Sequence, residues 1–154
     1  MGWVTLAAIP WMVALTFYDF RYRRLPNWLT LPGAFAIVVA SAIAGHGWAA
    51  IIGGAALAAV YLVPHLVSSR GMGAGDVKLA VGIGALTGAY GPAVWFLAAA
   101  TAPLVTVLCG LVLMAKSRWG NAARKRGRIR LPHGPSLCGT ALAAIALAYA
   151  SGLA

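Results

Sequence analysis

Six apolar stretches alternate with short polar turns along the chain, over about residues 2–18, 27–44, 48–68, 75–90, 92–115 and 134–153. None shows the strict alternation of a half-buried strand, and each is long enough to be read as a helix. A bilayer core of about 30 Å needs about 20 residues in helix, so several stretches lie near the lower limit for a crossing. The fourth is the shortest, and its start is expected at the membrane interface. The first stretch carries no charged side chain before it and has Arg21, Arg23 and Arg24 after it. A cleaved leader has the opposite order, so this stretch reads as a retained span. The pattern predicts an all-α integral membrane protein of about six transmembrane helices, forming one polytopic domain over 1–154.

Charge then orients the spans. The twelve basic residues fall into three of the connections. Arg21, Arg23 and Arg24 lie between the first and second spans, and Arg70 and Lys78 flank the turn between the third and fourth. The other seven lie at 116–131, between the fifth and sixth. The turns at 45–47 and 90–92 hold no Lys or Arg. Cytoplasmic loops carry the excess of positive charge. The three basic connections, including the loop 116–131, are therefore expected in the cytoplasm, with both termini outside. Composition agrees: 62% of residues are hydrophobic, 9% are charged, and mean hydropathy is +0.86, against about 25% charged in soluble domains. A net charge of +10 would suggest nucleic acid in a soluble protein. Here topology and anionic headgroups account for it, so membrane lipid is an expected partner and nucleic acid is not.

Against this background the chain holds two acidic residues, Asp19 and Asp76. Each sits at the edge of an apolar span, and the predicted topology puts both on the cytoplasmic side. Burying a lone carboxylate in a membrane costs at least a few kcal/mol, which marks both positions for function. Two neighbouring carboxyls cannot both ionise cheaply, so the pair shares a proton near neutral pH. One carboxylate then takes a proton from water, which attacks a carbonyl, while the protonated partner donates to the carbonyl oxygen. The competing reading is two interfacial charges paired with Arg23 and Lys78. Cys109 and Cys138 form no CxxC pair and read as small buried residues. No metal or cofactor is expected.

Spacing adds packing information. Ala80, Gly84 and Gly88 recur every fourth residue, as do Gly71 and Gly75. Small-xxx-small faces let helices approach closely in lipid, and this one is expected to bring Asp76 against the end of the first span. Gly73 and Gly75 are expected to free the backbone for a sharp loop. Trp3, Trp11, Trp28, Trp48, Trp95 and Trp119 fall mostly near span ends, as an interfacial belt would. His65 lies towards the cytoplasmic end of the third span.

Three local sequences carry a resemblance. The stretch from Asp19 through Arg21, Arg23 and Arg24 to Leu25-Pro26-Asn27 resembles the first-aspartate motif of bacterial type IV prepilin peptidases. Gly73-Ala74-Gly75-Asp76-Val77-Lys78-Leu79 looks like the GxGD-x-K-L motif around their second aspartate. Leu131-Pro132-His133-Gly134-Pro135-Ser136-Leu137 is similar to a Pro-x-Gly-Pro-x-Leu stretch opening a late span, with His133 where an aromatic residue is common. The resemblance implies an aspartic peptidase of the inner membrane that removes the basic leader of prepilins or pilin-like proteins at the cytoplasmic face. It implies Asp19 and Asp76 as the catalytic pair, with acid and base unassigned, and Gly73 and Gly75 as the loop presenting Asp76. Asn27, Lys78, Gly134 and Pro135 are motif residues without an assigned role. Larger family members carry a cysteine-containing cytoplasmic domain and also methylate the new amino terminus. This sequence looks like the short form associated with Flp/Tad-type pili, for which peptidase activity alone is expected.

Two other classes fit the composition. A small proton- or cation-coupled transporter subunit would use the two aspartates as a relay, but mid-span carboxylates on inverted repeats would suit it better. A non-catalytic pilus assembly factor would retain the fold, and has no need of both carboxyls.

Overall fold

A computed structural model describes residues 1–22, 25–67, 73–119 and 134–152. Six helices follow one another: α1 (Gly2–Tyr22), α2 (Asn27–Ile43), α3 (Gly47–Val67), α4 (Ala74–Ala89), α5 (Pro92–Trp119) and α6 (Gly134–Ala150). The described residues contain no strand, as the apolar pattern predicts. Boundaries shift at the ends beside the basic connections. α1 continues past Asp19 to Tyr22 and α5 runs to Trp119, because nothing in 19–22 or 116–119 breaks a helix. Arg23, Arg24, Arg70, Gly71 and most of the basic loop 116–131 lie outside the described residues, as do Pro132 and His133.

Three helices are long and apolar enough to cross a membrane: Gly2–Tyr22, Gly47–Val67 and the Pro92–Cys109 part of α5. The expected six crossings are thus matched by three on length and composition. α2 and α6 are apolar but shorter. α4, with 16 residues, spans about 24 Å. The outer surface of the bundle is apolar: Leu6, Phe17, Phe35, Ile43, Leu66 and Phe96 are all exposed. A soluble domain turns such residues inward, whereas a bilayer solvates them. This is the outside of a membrane protein.

α4 is the helix the others surround. From Leu79 to Ala89 all but Val81 are buried, and α4 packs against α2, α3, α5 and α6. A helix that is small or apolar all round has no face suited to water, and an interior position follows.

The most extensive contact is between α3 and α4. It is built from glycine on both sides. A Cβ on Gly88 would lie 2.8 Å from Gly53 Cα, and one on Gly84 would lie 2.7 Å from Leu57 Cβ. A Cβ on Gly54 would lie 2.8 Å from the Val81 carbonyl oxygen. The spaced small residues of α4 therefore face α3, not α1 as the spacing was read. With no side chain between them the two backbones pack directly, which supplies dispersion contact where lipid offers no hydrophobic drive.

α1 reaches α4 by another route. Trp11 lies two turns before Asp19 and slots between α2 and α4. Its ring fills the space beside Gly33 and lies 2.6 Å from where a Cβ of Gly82 would be. Its Nε1 donates to the Leu29 carbonyl at 2.8 Å. Trp95 is likewise turned inward, with Nε1 donating to the Gly53 carbonyl at 2.9 Å. Trp3, Trp28 and Trp48 are exposed, in keeping with a belt, but Trp11 and Trp95 are packing residues. Gly33 and Gly82 make room for the Trp11 indole, which periodicity alone leaves on the surface.

At one end of the bundle, Thr5 Oγ1 and Tyr90 Oη are 2.6 Å apart, and Tyr90 Oη is 3.0 Å from Tyr149 Oη. These hydroxyls tie the start of α1, the end of α4 and the end of α6 together. α1 is therefore antiparallel to α4, and the end of α1 lies at the start of α4.

Candidate functional site

That opposite end holds both acids. Asp19 is in the last turn of α1 and Asp76 in the first turn of α4. Their side chains are 7% and 9% exposed. From the Thr5–Tyr90 bond, each lies about four helical turns away, or ~21 Å at 1.5 Å per residue. The two carboxyls therefore sit at a common depth at one end of the molecule, as the sequence reading required. Such burial is rare for aspartate and distinguishes them from loosely held interfacial charges.

Asp76 is fixed by its own turn. Gly73 N–H donates to Asp76 Oδ2 at 3.2 Å, and Asp76 N–H donates to the Gly73 carbonyl at 3.0 Å. A first-turn carboxylate thus satisfies a helix donor that has no intrahelical partner. Gly73 has an extended backbone, φ −75° and ψ 146°, which any residue adopts. Gly75 lies within α4. The expected backbone freedom is therefore not what these glycines supply. Gly75 supplies space: a Cβ there would lie 2.9 Å from Leu25 Cβ. The absent side chain lets Leu25 and Pro26, just before α2, close over the start of α4.

Lys78 and Asn27, from two separate motifs, meet across that junction. Lys78 Nζ donates to Asn27 Oδ1 at 2.8 Å. Asn27 is the first residue of α2, after the N-cap Pro26, whose side chain offers no cap. The Lys78–Asn27 bond joins α2 to α4 two residues after Asp76, which gives both motif residues a structural role. Gly134 and Pro135 open α6. Proline suits a first turn, where its missing N–H costs nothing. The next residue, Ser136, lies 2.7 Å from Thr106 Oγ1 through its hydroxyl, joining α6 to α5.

Two further side chains, Cys138 and Tyr61, lie in the field of the acids; sequence reasoning assigned Cys138 a packing role alone and did not single out Tyr61. Cys138 on α6 is buried, lies within the electrostatic reach of Asp19 and hydrogen-bonds the Thr16 hydroxyl of α1. This places α6 beside the first acid. Cys109 does not match its reading as a buried residue, because it is exposed on the outside of α5. Tyr61 on α3 is buried and lies in the field of Asp76. The antiparallel α3–α4 register accounts for this: Ala49 lies against Gly88 and Gly53 against Gly84, and continuing in step sets Tyr61 opposite Asp76. The glycines of α3 and α4 carried the signal for that pairing. His65, half-buried, follows Tyr61 by one turn on the same helix. Among the described residues, no three His, Cys, Asp or Glu side chains gather into a metal-binding group.

The arrangement supplies two buried carboxyls at one end of a membrane bundle, the elements of proton-coupled hydrolysis without a bound nucleophile. The model of the type IV leader peptidase family matches residues 6–115. The match takes in both aspartates, Leu25-Pro26-Asn27 and the Gly73–Leu79 stretch. α6 lies beyond it. No curated protein and no solved structure matches the chain.

Proposed function

The chain belongs to the type IV leader peptidase family, a family of aspartic peptidases, and from that membership we propose that it removes the leader of prepilins or pilin-like proteins. Asp19 and Asp76 are the catalytic pair. One carboxylate accepts a proton from water as its oxygen attacks the scissile carbonyl carbon. The other, protonated, donates to the carbonyl oxygen, giving a neutral tetrahedral diol. Collapse of the diol breaks the C–N bond as the amide nitrogen takes up a proton. The carboxyl pair returns to one shared proton.

The observation that carries this reading is the burial of the chain's two acids at a common depth at one end of the bundle. A transporter relay would be better served by mid-span carboxylates on inverted repeats than by acids at one end of the bundle. The distribution of Lys and Arg supports a cytoplasmic position for this end in a bacterial inner membrane, with both chain termini outside. The substrate is then a protein with a short basic leader followed by an apolar helix. Its helix lies in lipid against the bundle and its leader junction reaches the acids. Methylation of the new amino terminus is no part of the proposal.

The test is direct. The purified chain, in proteoliposomes with a pilin precursor, is expected to release the leader at the junction with the apolar helix, read by mass spectrometry. An intact precursor, or proton flux without cleavage, would count against the peptidase. Transfer of labelled methyl from S-adenosylmethionine to the cleaved product would contradict a peptidase-only role.

A further inference from the structure

Tyr61 is a buried polar residue that the proposed chemistry does not use. Its side chain is 7% exposed, in the second half of α3, and it lies in the field of Asp76. Thr30, Thr87, Thr106 and Thr140, also buried, each bond a carbonyl of their own helix. A phenol stands too far from the backbone that carries it to bond in this local way, so its hydroxyl is directed at neighbouring helices.

Its position is set by the tightest contact in the molecule. Gly53 lies against Gly84 and Gly88, Leu57 lies against Gly84, and Tyr61 follows one turn after Leu57. This register points the phenol at the first turn of α4, where Asp76 is fixed by Gly73 N–H. The glycine interface therefore does more than pack two helices, since it delivers a neutral donor to one of the two acids. An ordinary phenol keeps its proton at neutral pH, so it can donate but does not compete as a base.

We propose that Tyr61 is a third catalytic residue, whose O–H donates a hydrogen bond to the scissile carbonyl oxygen of the substrate and holds it through the tetrahedral intermediate. The inference rests on the peptidase reading above. It requires no bond to Tyr61, and its proton stays on the phenol throughout. Substrate supplies the acceptor for this hydroxyl. The hydroxyl then contributes most when charge gathers on that oxygen, which is a transition-state effect. Apo enzymes often keep such donors unengaged until substrate arrives.

The decisive variant is Tyr61→Phe, which keeps the ring and its packing against α4 and removes only the hydroxyl. With the full-length protein in detergent and a pilin precursor as substrate, kcat is expected to fall about 100-fold, the range seen when one such donor is removed. KM and the thermal midpoint should change little. Tyr61→Leu should lose stability as well as rate, separating packing from chemistry. If the unchanged protein cleaves and Tyr61→Phe cleaves equally fast, Tyr61 is not catalytic and the peptidase reading stands. A loss confined to KM or to the thermal midpoint overturns the inference in the same way. If the unchanged protein does not cleave, both readings fall together.

Discussion

Thr5 and Tyr90, hydrogen-bonded at 2.6 Å, stand the same number of residues from Asp19 and Asp76 respectively. One bond at the far end therefore gives both acids the same number of helical turns from a common point. The Thr5–Tyr90–Tyr149 cluster acts as the datum of the bundle. The acids need no direct backbone contact to share a level.

Removing that datum tests it. Tyr90→Phe deletes the hydroxyl that bonds both Thr5 and Tyr149. Each such bond is worth about 0.5–1.5 kcal/mol. Thermal unfolding in detergent should show a loss of about 1–3 kcal/mol, with cleavage reduced only near the melting range. An unchanged midpoint would mean the cluster holds nothing.

The glycine interface should not tolerate a side chain. Gly84→Val sets a Cβ against Leu57 Cβ and the Gly53 backbone, and backbone cannot move aside as a flexible side chain does. Overpacking of this kind costs about 1–3 kcal/mol. Because Tyr61 depends on the same contact, activity should fall more than stability predicts. Activity that simply follows the folded fraction would dissociate the register from the chemistry.

Lys78 and Asn27 form one unit. Lys78→Met and Asn27→Ala each break the same 2.8 Å bond, so the double variant should cost less than the sum of the singles. The coupling should be about 0.5–1.5 kcal/mol in a double-mutant cycle. Additive losses would show that the two residues act separately.

The charge pattern makes a topological prediction. Alkaline phosphatase fused after residue 152 should be active, as an outside terminus requires, and a fusion within 120–133 should be inactive. The reverse result would put the acids on the outer face and remove the access of a cytoplasmic leader to them.

Much of the fold was legible because membrane spans announce themselves by length and apolarity. All six helices lie on the six apolar stretches. The two acids were equally visible, since two carboxylates in so apolar a chain have no dilution to hide in. Which face of each helix turns inward was not legible. In lipid both faces of a span are apolar, so periodicity carries little of the inside-outside contrast that soluble helices show. Hence Ala80, Gly84 and Gly88 were assigned to the wrong neighbour, Trp11 was read as a belt residue, and Cys109 was read as buried. Tyr61 escaped for the same reason. Its importance comes from what stands opposite on another helix, and only the Gly53–Gly84 register reveals that.

The account stands most directly on paired carboxyls. Asp19→Asn and Asp76→Asn keep side-chain size and remove only the charge and the exchangeable acid. Each, inserted in membranes at the level of the unchanged chain, should process a co-expressed pilin precursor at less than about 1% of its rate, as loss of one member of an acting pair requires. If both abolish processing while the bundle still folds, the two acids act together. If either variant still cleaves at a rate near that of the unchanged chain, hydrolysis by an aspartate pair is contradicted.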